Sequence, residues 1–378
     1  MSRDLDEHRQ YLADAPRVEA FRLAIAEVVR PGDVVVDLAA GSGVLGLLAC
    51  EAGAGRVYAI DDGSILTLAE KLAVANGWGD RIVHVHETST RAVLPESVDV
   101  IVTDQIGRFG MEAGLIDVLR DGARRWLKPG GRIVPARVDL MIAPVESQPL
   151  RDRVEFWNSR PSGIDVSAGY RTACNSGFPA DLHPRELLTA GTRIMSLDAS
   201  PGGPDLFRGE AELTIDRGAV LDGLAGWFQA ALSPSVMMTN APGHPDRIRR
   251  RQVVFPLTPR TRVKAGDTLR VSMKTRPAQL IVDWAVTVAR GAATLAAFHH
   301  STLDGMLLSA RDLHRSRPDF VPHLTPAGVA RRSVLELCDG TRAIADIERE
   351  MMARHADLLP DAAAAATFVA EVLAVYGQ

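Results

Sequence analysis

The sequence has little cysteine, only three in 378 residues, at positions 50, 174 and 338. Three is odd in number and the spacing is wide, which argues against a disulfide framework and for free thiols in a reducing compartment. Any apolar run near the length of a membrane-spanning helix is missing. The amino terminus, MSRDLDEHRQ, is charged and has no apolar stretch of the kind a secretory signal needs. An excess of positive charge is missing too. The formal net charge is −4, which gives no support for general nucleic-acid binding. These absences lead us to expect a cytoplasmic protein with no membrane or nucleic-acid partner. The length suggests two or three domains, and no internal repeat is visible.

What is present falls into parts. Residues 1–145 alternate short β-branched runs (DVVVDL, RVYAID, VDVIVTD, GRIVPARVDLMIA) with helix-like segments (GVLGLLACEAG, SILTLAEKLAVANG, EAGLIDVLRDGARRWL). That alternation predicts a Rossmann-like, doubly wound parallel sheet whose ligands sit beyond the carboxyl ends of the strands. Residues 146–305 lose helical periodicity. RIMSL, EAELTI, RQVVFPL, TLRVSMKT and IVDWAVTV read as strands of an antiparallel β-domain. Residues 306–322 are poorly patterned and read as a linker. Residues 323–378 turn helical again, with apolar positions at Val334, Leu337, Ile344, Ile347 and Met351 before a second helix carrying Phe368, Val369, Val372 and Leu373.

The loop DLAAGSGVLG, residues 37–46, has the G-x-G-x-x-G spacing of a dinucleotide-binding turn in Gly41, Gly43 and Gly46. Alone it is a weak signal, and Asp37 in front of it opposes a pyrophosphate, which prefers helix N-terminal N–H groups free of negative charge. S-adenosylmethionine carries an ammonium and a sulfonium, so an acidic residue at the strand end favours it. Asp61, ending the next strand, could accept from two ribose hydroxyls. HETSTRAVLP, after the third strand, would lie near an adenine ring. VTDQIG, after the fourth, would face the methyl acceptor.

VVVDLAAGSGVLGLLACEAGAGRVYAIDDGSI, then AVLPESVDVIVTDQIG and RRWLKPGGRIVPARVDL, resemble the S-adenosylmethionine motifs of the protein arginine methyltransferase superfamily, at family spacing. HRQYLADAPRVEAF resembles its N-terminal helix that closes over the donor, with His8, Asp14 and Arg17 on recurring positions. VEFWNSRPSGIDVS and GLAGWFQAALSP…RRRQVVFPLTPRTRVKAGDTLRVSM resemble its C-terminal β-barrel. The resemblance implies a class I methyltransferase that binds S-adenosylmethionine. It places Arg17 on the donor's carboxylate, a task suited to a guanidinium. His8, Asp37, Ala39, Gly41 and Gly43 would join it there, with Asp61, Asp62, Ser89 and Thr90 toward the ribose and adenine. Family members are often dimers, so a homodimer is possible, although no helical dimerisation arm is plain.

The acceptor region departs from that family. Its loop with two guanidinium-gripping glutamates reads TDQIGRFGMEAG here. Asp104 falls on the first glutamate, Gln105 replaces a tryptophan, and Glu112 lies one residue out of register with the second. The barrel's histidine–tryptophan pair is replaced by Arg249-Arg250. Asp104, Gln105 and Glu112 are the candidate catalytic residues. Arg249 and Arg250 are candidates for substrate binding that would repel a guanidinium and suit an acidic peptide or a carboxylate. Two plainer readings compete: Glu112 as a dipole partner at a helix start, and Arg249–Arg251 as a solvated surface. His84, His86, His299 and His300 lack companions at ligand spacing, so no metal site is expected.

SVLELCDGTRAIADIEREMMARHADLLPDAAAAATFVAEVLAVYG is similar to the small peptide chaperone of pyrroloquinoline quinone biosynthesis, whose winged-helix-like fold recurs as a recognition element of peptide-modifying enzymes. Asp339-Gly340 suits the tight turn between its helices, and FVPHLTPAGV stands where its β-hairpin would be. Together the resemblances imply a leader-guided methyltransferase of a ribosomally made peptide, with an acceptor other than a standard arginine. The rivals are a methyltransferase of a small natural product or folded protein with a structural tail, and a non-catalytic S-adenosylmethionine-binding protein.

Overall fold

The computed structural model describes residues 3–376, and its chain divides into two compact units, up to Met306 and from Leu307. The first opens with helices α1 (Arg3–Leu12) and α2 (Ala15–Val28). A parallel sheet follows: β1 (Val34–Leu38), α3 (Val44–Glu51), β2 (Arg56–Asp61), α4 (Leu66–Ala75), β3 (Ile82–His86), β4 (Val98–Val102), α5 (Leu115–Trp126) and β5 (Leu127–Val134). The strand order is β3-β2-β1-β4-β5. Val35, Val36, Leu38, Val57, Ile60, Val100, Ile101 and Val102 are fully buried, as continuous β-branched runs in a sheet covered on both faces require.

The run GRIVPARVDLMIA, expected as one element, is two. It breaks at Pro135-Ala136, and its second half is β6 (Arg137–Val145), which belongs to a different sheet. The change of architecture therefore comes before the expected division at 145/146. Beyond β6 a helical insertion, α6 (Gln148–Glu155) to α7 (Tyr170–Cys174), leads to β7 (Phe178–Ala180) and β8 (Thr192–Leu197). Then come β9 (Phe207–Thr214), β10 (Ala219–Ala231), β11 (Met237–Thr239), β12 (Gln252–Val263), β13 (Thr268–Arg276), β14 (Ile281–Arg290) and β15 (Ala293–Ser301). These pair antiparallel in two separate sheets, β7-β12-β10-β6-β8 with β11 on β10, and β15-β14-β13-β9. The expected β-domain is present, but no closed barrel is seen among the described residues.

The sheets meet through aromatic side chains. Phe255 on β12 lies 5.1 Å, ring to ring, from Trp284 on β14, whose indole N–H donates to the Pro256 carbonyl at 3.0 Å. Phe109, from the loop after β4, stacks edge-on against Phe255 at 5.4 Å. Gly226 on β10 makes this possible, because a Cβ there would stand 2.8 Å from the Phe109 ring. The acceptor-side loop is thus anchored in the core of the β-domain.

In the second unit an exposed helix α8 (Ala310–Arg315) precedes α9 (Pro326–Leu337), α10 (Ile344–Arg354) and α11 (Ala362–Tyr376), which pack around Ala330, Val334, Leu337, Ile347, Met351, Val369 and Val372. Residues 306–322, expected as a linker, carry α8. No strand occurs among the described residues of this unit, so the expected hairpin, and with it the wing, is absent. Thr325 and Pro326 instead start a helix, the Thr325 hydroxyl accepting the Gly328 N–H at 3.1 Å. Ile344 is exposed rather than buried. None of the three cysteines is paired.

Trp284 is fully buried and joins the two antiparallel sheets, so Trp284→Ala should destabilise the protein by about 3–5 kcal/mol. Urea unfolding should show a lower midpoint, with Trp284→Phe falling between the two.

Candidate functional site

The order β3-β2-β1-β4-β5 reverses direction between β1 and β4, so the loops leaving their carboxyl ends run to opposite sides. A cavity of about 980 Å³ opens there, between the loops after β1, β2 and β4, the helices α1 and α2, and the segment before β12. The Thr103 hydroxyl donates to the Leu38 carbonyl at 2.8 Å and ties the ends of β4 and β1 together.

The donor half is built from the glycine loop. Ala39 and Gly41 are both left-handed, φ +55° and +56°. For alanine that conformation costs on the order of 1–3 kcal/mol, and such strain clusters at binding sites. Position 41 needs glycine twice over, because a Cβ there would also collide with the ring of His8 on α1. Gly43 directly precedes α3. Asp37 is 1% exposed and accepts the Gly46 N–H at 2.9 Å on one oxygen, while its other oxygen has no partner. Burial pushes its pKa up to about 8. The Gly46 N–H works against this, and the carboxylates of Asp61 and Asp104 add to it. Asp61 accepts from Gly41 and Gly63 N–H groups, both at 2.8 Å, and its remaining lone pairs can still receive hydroxyls.

Three residues assigned to the donor from sequence lie elsewhere. Asp62 is exposed outside the cavity wall, and its carbonyl faces His86 Nε2 at 3.0 Å. Ser89 and Thr90 also lie outside the wall. Arg125 on α5 donates to the carbonyls of Ser89 and Ala92 and holds their turn against that helix. Ser64 and Ile65, one turn after Asp61, line the cavity in their stead. The signal for them was the DDGSI that follows β2.

The acceptor half centres on Asp104, whose side chain is 8% exposed. It is paired with Arg17 of α2 and with Arg250, whose two Nη atoms lie 3.2 and 3.5 Å from its two oxygens. Arg250 also donates to the Gly107 carbonyl at 3.3 Å. Arg17 lies over the Tyr11 ring at 4.4 Å, and its Nε is buried without a partner. Gln105 lines the cavity. Glu112 lines it too, but its carboxylate turns back on its own loop, accepting the N–H groups of Phe109 at 2.9 and 3.0 Å and of Met111 at 3.3 Å. It does not start α5, which begins at Leu115 and has Asp117 as its first-turn acid. Asp14 accepts the Arg249 backbone N–H at 2.7 Å, and its other oxygen is a buried orphan. Sequence reasoning missed Tyr11 and Arg108 on this wall, and weighed Arg251, also on it, only as part of a basic cluster. Both arginines stood inside motifs already singled out and were overshadowed by their neighbours.

The residues fit S-adenosylmethionine. Asp37 has a buried oxygen in need of a donor and Arg17 a buried N–H in need of an acceptor. The ammonium and carboxylate of an amino-acid end supply that pair of charges.

Residues 136–285 match the family model described as the arginine methyltransferase oligomerization subdomain, and residues 22–136 match that of ribosomal protein L11 methyltransferase (PrmA). The chain is 29% identical to protein arginine N-methyltransferase 6 of Xenopus laevis over 237 residues, 60% of this chain and 70% of that protein. It is 28% identical to protein arginine N-methyltransferase PRMT10 of Oryza sativa subsp. japonica over 300 residues, 70% and 79%. The Trypanosoma brucei PRMT1 enzyme–prozyme heterotetrameric complex with AdoHcy shares the fold, with a TM-score of 0.70 at 21% identity, over 78% of this chain and 96% of that one.

A cationic ligand beside Asp37 favours its ionised form, so below pH 8 binding must expel the proton that burial holds there. Affinity for S-adenosylmethionine should therefore rise by up to about tenfold per pH unit as pH 8 is approached, then level off. Calorimetry across pH 6–9 should show this slope in the natural protein and its loss in Asp37→Asn.

Proposed function

The chain is an S-adenosylmethionine-dependent methyltransferase related to the protein arginine methyltransferases, and from that premise we propose that it methylates a ribosomally made peptide on a side-chain carboxylate rather than on arginine. The observation that carries this is the buried cluster Arg17–Asp104–Arg250. Two guanidiniums and one carboxylate leave positive charge in excess. Glu112, the only other carboxylate from the acceptor loop, is turned away into its own backbone. A guanidinium acceptor would be a third cation in a poorly solvated place, which is strongly unfavourable. With the donor's carboxylate on Arg17 the cluster is neutral, and a carboxylate acceptor then balances the sulfonium it attacks.

Arg250 is the residue that would hold the acceptor, through the Nε–Nη2 edge of its guanidinium, the other edge being fixed on Asp104 and the Gly107 carbonyl. Arg17 would hold the donor's carboxylate while keeping its contact with Asp104. Bound there, S-adenosylmethionine supplies a methyl group on a sulfonium, whose sulfur keeps the electron pair when the carbon–sulfur bond breaks. A carboxylate acceptor attacks through an oxygen lone pair, becomes a methyl ester and has no proton to lose. No general base is then required, which accords with Asp104 being held in two ion pairs. Positioning supplies most of the effect.

The peptide is brought by the second unit. Its α9–turn–α10 pair carries Asp339 and Gly340 in the tight turn, with Gly340 at φ +77° and Asp339 accepting the Thr341 N–H at 3.0 Å. That turn supports its reading as a leader-recognition element, which raises the effective concentration of the core peptide at the site.

Mass spectrometry of the modified peptide should show one added methyl group that mild alkali removes. A methyl group that survives alkali would sink the carboxylate assignment. Arg250→Ala should lower kcat/KM by about 10–100-fold, the loss of a charge-assisted contact. A chain ending at Met306 should lose about 100-fold or more in kcat/KM on the leader-bearing peptide, through KM, yet act normally on the core peptide alone. Equal kinetics for both chains on the leader-bearing peptide would remove leader guidance.

A further inference from the structure

Three arginines stand at the mouth of the cavity, Arg108 in the loop after β4 and Arg249 and Arg251 in the segment before β12. All three are exposed, and none of their guanidiniums has a hydrogen bond or ion pair among the described residues. Many exposed arginines of the same unit are paired, Arg22 with Glu51, Arg171 with Asp304 and Arg270 with Glu212 among them. Of the acidic groups on the same wall, Asp37 and Asp14 are buried and each keeps one oxygen without a partner, and the others face partners already held. Glu7 accepts the Tyr11 hydroxyl, Asp61 two backbone N–H groups, Asp14 the Arg249 N–H, and Asp104 and Glu112 the partners described above. At the mouth these three guanidiniums stand without an ionic partner among the described residues, on a chain whose net charge is −4.

Its two sides are also held on one frame. Asn240 is fully buried, and its amide nitrogen donates to the Arg108 carbonyl at 2.8 Å and the Arg251 carbonyl at 3.1 Å. Its amide oxygen accepts the Phe228 N–H at 3.0 Å. Every polar atom of that side chain is spent on fixing the two backbone stretches that carry the cations. A partner meeting such a frame need not order it, which removes part of the cost of binding.

We propose that Arg108, Arg249 and Arg251 form a docking site for acidic residues flanking the methylated position, so that the enzyme selects a carboxylate-rich peptide segment. The inference rests on the reading of the cavity as a peptide-modifying site and extends it from the acceptor to its neighbours. Charges at the mouth steer an oppositely charged segment toward the cavity and fix its register, with a marked salt dependence.

The test is fluorescence anisotropy of the full chain, saturated with S-adenosylhomocysteine, against labelled hexaglutamate, hexalysine and a neutral glycine–serine hexapeptide. Hexaglutamate should bind at least about tenfold more tightly than the neutral peptide, and the preference should shrink as salt is added. The triple variant Arg108→Glu, Arg249→Glu, Arg251→Glu should invert the preference toward hexalysine while melting at an unchanged temperature. Should that variant fold poorly, Arg108→Glu and Arg251→Glu separately should each weaken hexaglutamate binding severalfold. Equal binding of hexaglutamate and the neutral peptide, or unchanged hexaglutamate binding in the folded variants, overturns the proposal. Docking is read without methyl transfer, so an alkali-stable product with docking intact would remove the carboxylate acceptor and leave the docking site standing.

Discussion

Asp104 stands where three separately built parts of the molecule converge. It follows β4 of the parallel sheet, Arg17 comes from α2, and Arg250 comes from the segment leading into β12. A nearly buried cluster of this kind gains little over apolar packing, yet removing one member strands a charge at a cost of about 3–5 kcal/mol. Its value is therefore geometric. It fixes two guanidiniums, Arg17 and Arg250, around one carboxylate on the cavity wall. Much else in the site steadies that carboxylate. Thr103 ties the strand ends, Glu112 closes the loop on its own N–H groups, and Phe109 anchors the loop between the antiparallel sheets.

The donor side of the site was largely legible, because its signals are local. Strand ends at Asp37 and Asp61 follow directly from β-branched runs, and a glycine where φ is positive follows from the turn that must come next. Arg17 was found only through resemblance to a family, since nothing in spacing joins a residue of α2 to a strand end. The acceptor side was legible in composition but not in direction. Asp104, Glu112 and Arg250 were all singled out, yet which of them pair depends on how the loop is pinned by Phe109. That contact joins residues more than a hundred positions apart in sequence. Ser89 and Thr90 fall outside the cavity wall for a similar reason, since Arg125 on a distant helix holds their turn.

Strand pattern showed the same limit. RQVVFPL, TLRVSMKT and IVDWAVTV are strands as expected, but alternation along a strand says nothing about its neighbours. Two open sheets and a closed barrel therefore look alike in sequence. LTPAGV was misread more simply. A threonine followed by proline is a helix start, and the search for a hairpin passed over it.

Shared architecture and changed charge together make a general point about such folds. The strand order that creates the crevice belongs to the fold, whereas the sign of the acceptor pocket is set by a few side chains on loops. Arg249 and Arg250, where the resembled family has a histidine and a tryptophan, change the charge beside the crevice while the strand order that forms it is kept.

Asn240 has a mechanical consequence. Because one buried amide grips both the loop of Arg108 and the segment of Arg251, these two sides of the cavity move together or not at all. The side-chain hydrogen bonds of Asp6, Glu7, Arg9, Gln10 and Tyr11 stay within α1, and this helix meets the rest of the site mainly through His8 against Gly41 and Tyr11 beneath Arg17. Two walls of the chamber are thus riveted to one frame, while the third is joined to it by the rings of His8 and Tyr11.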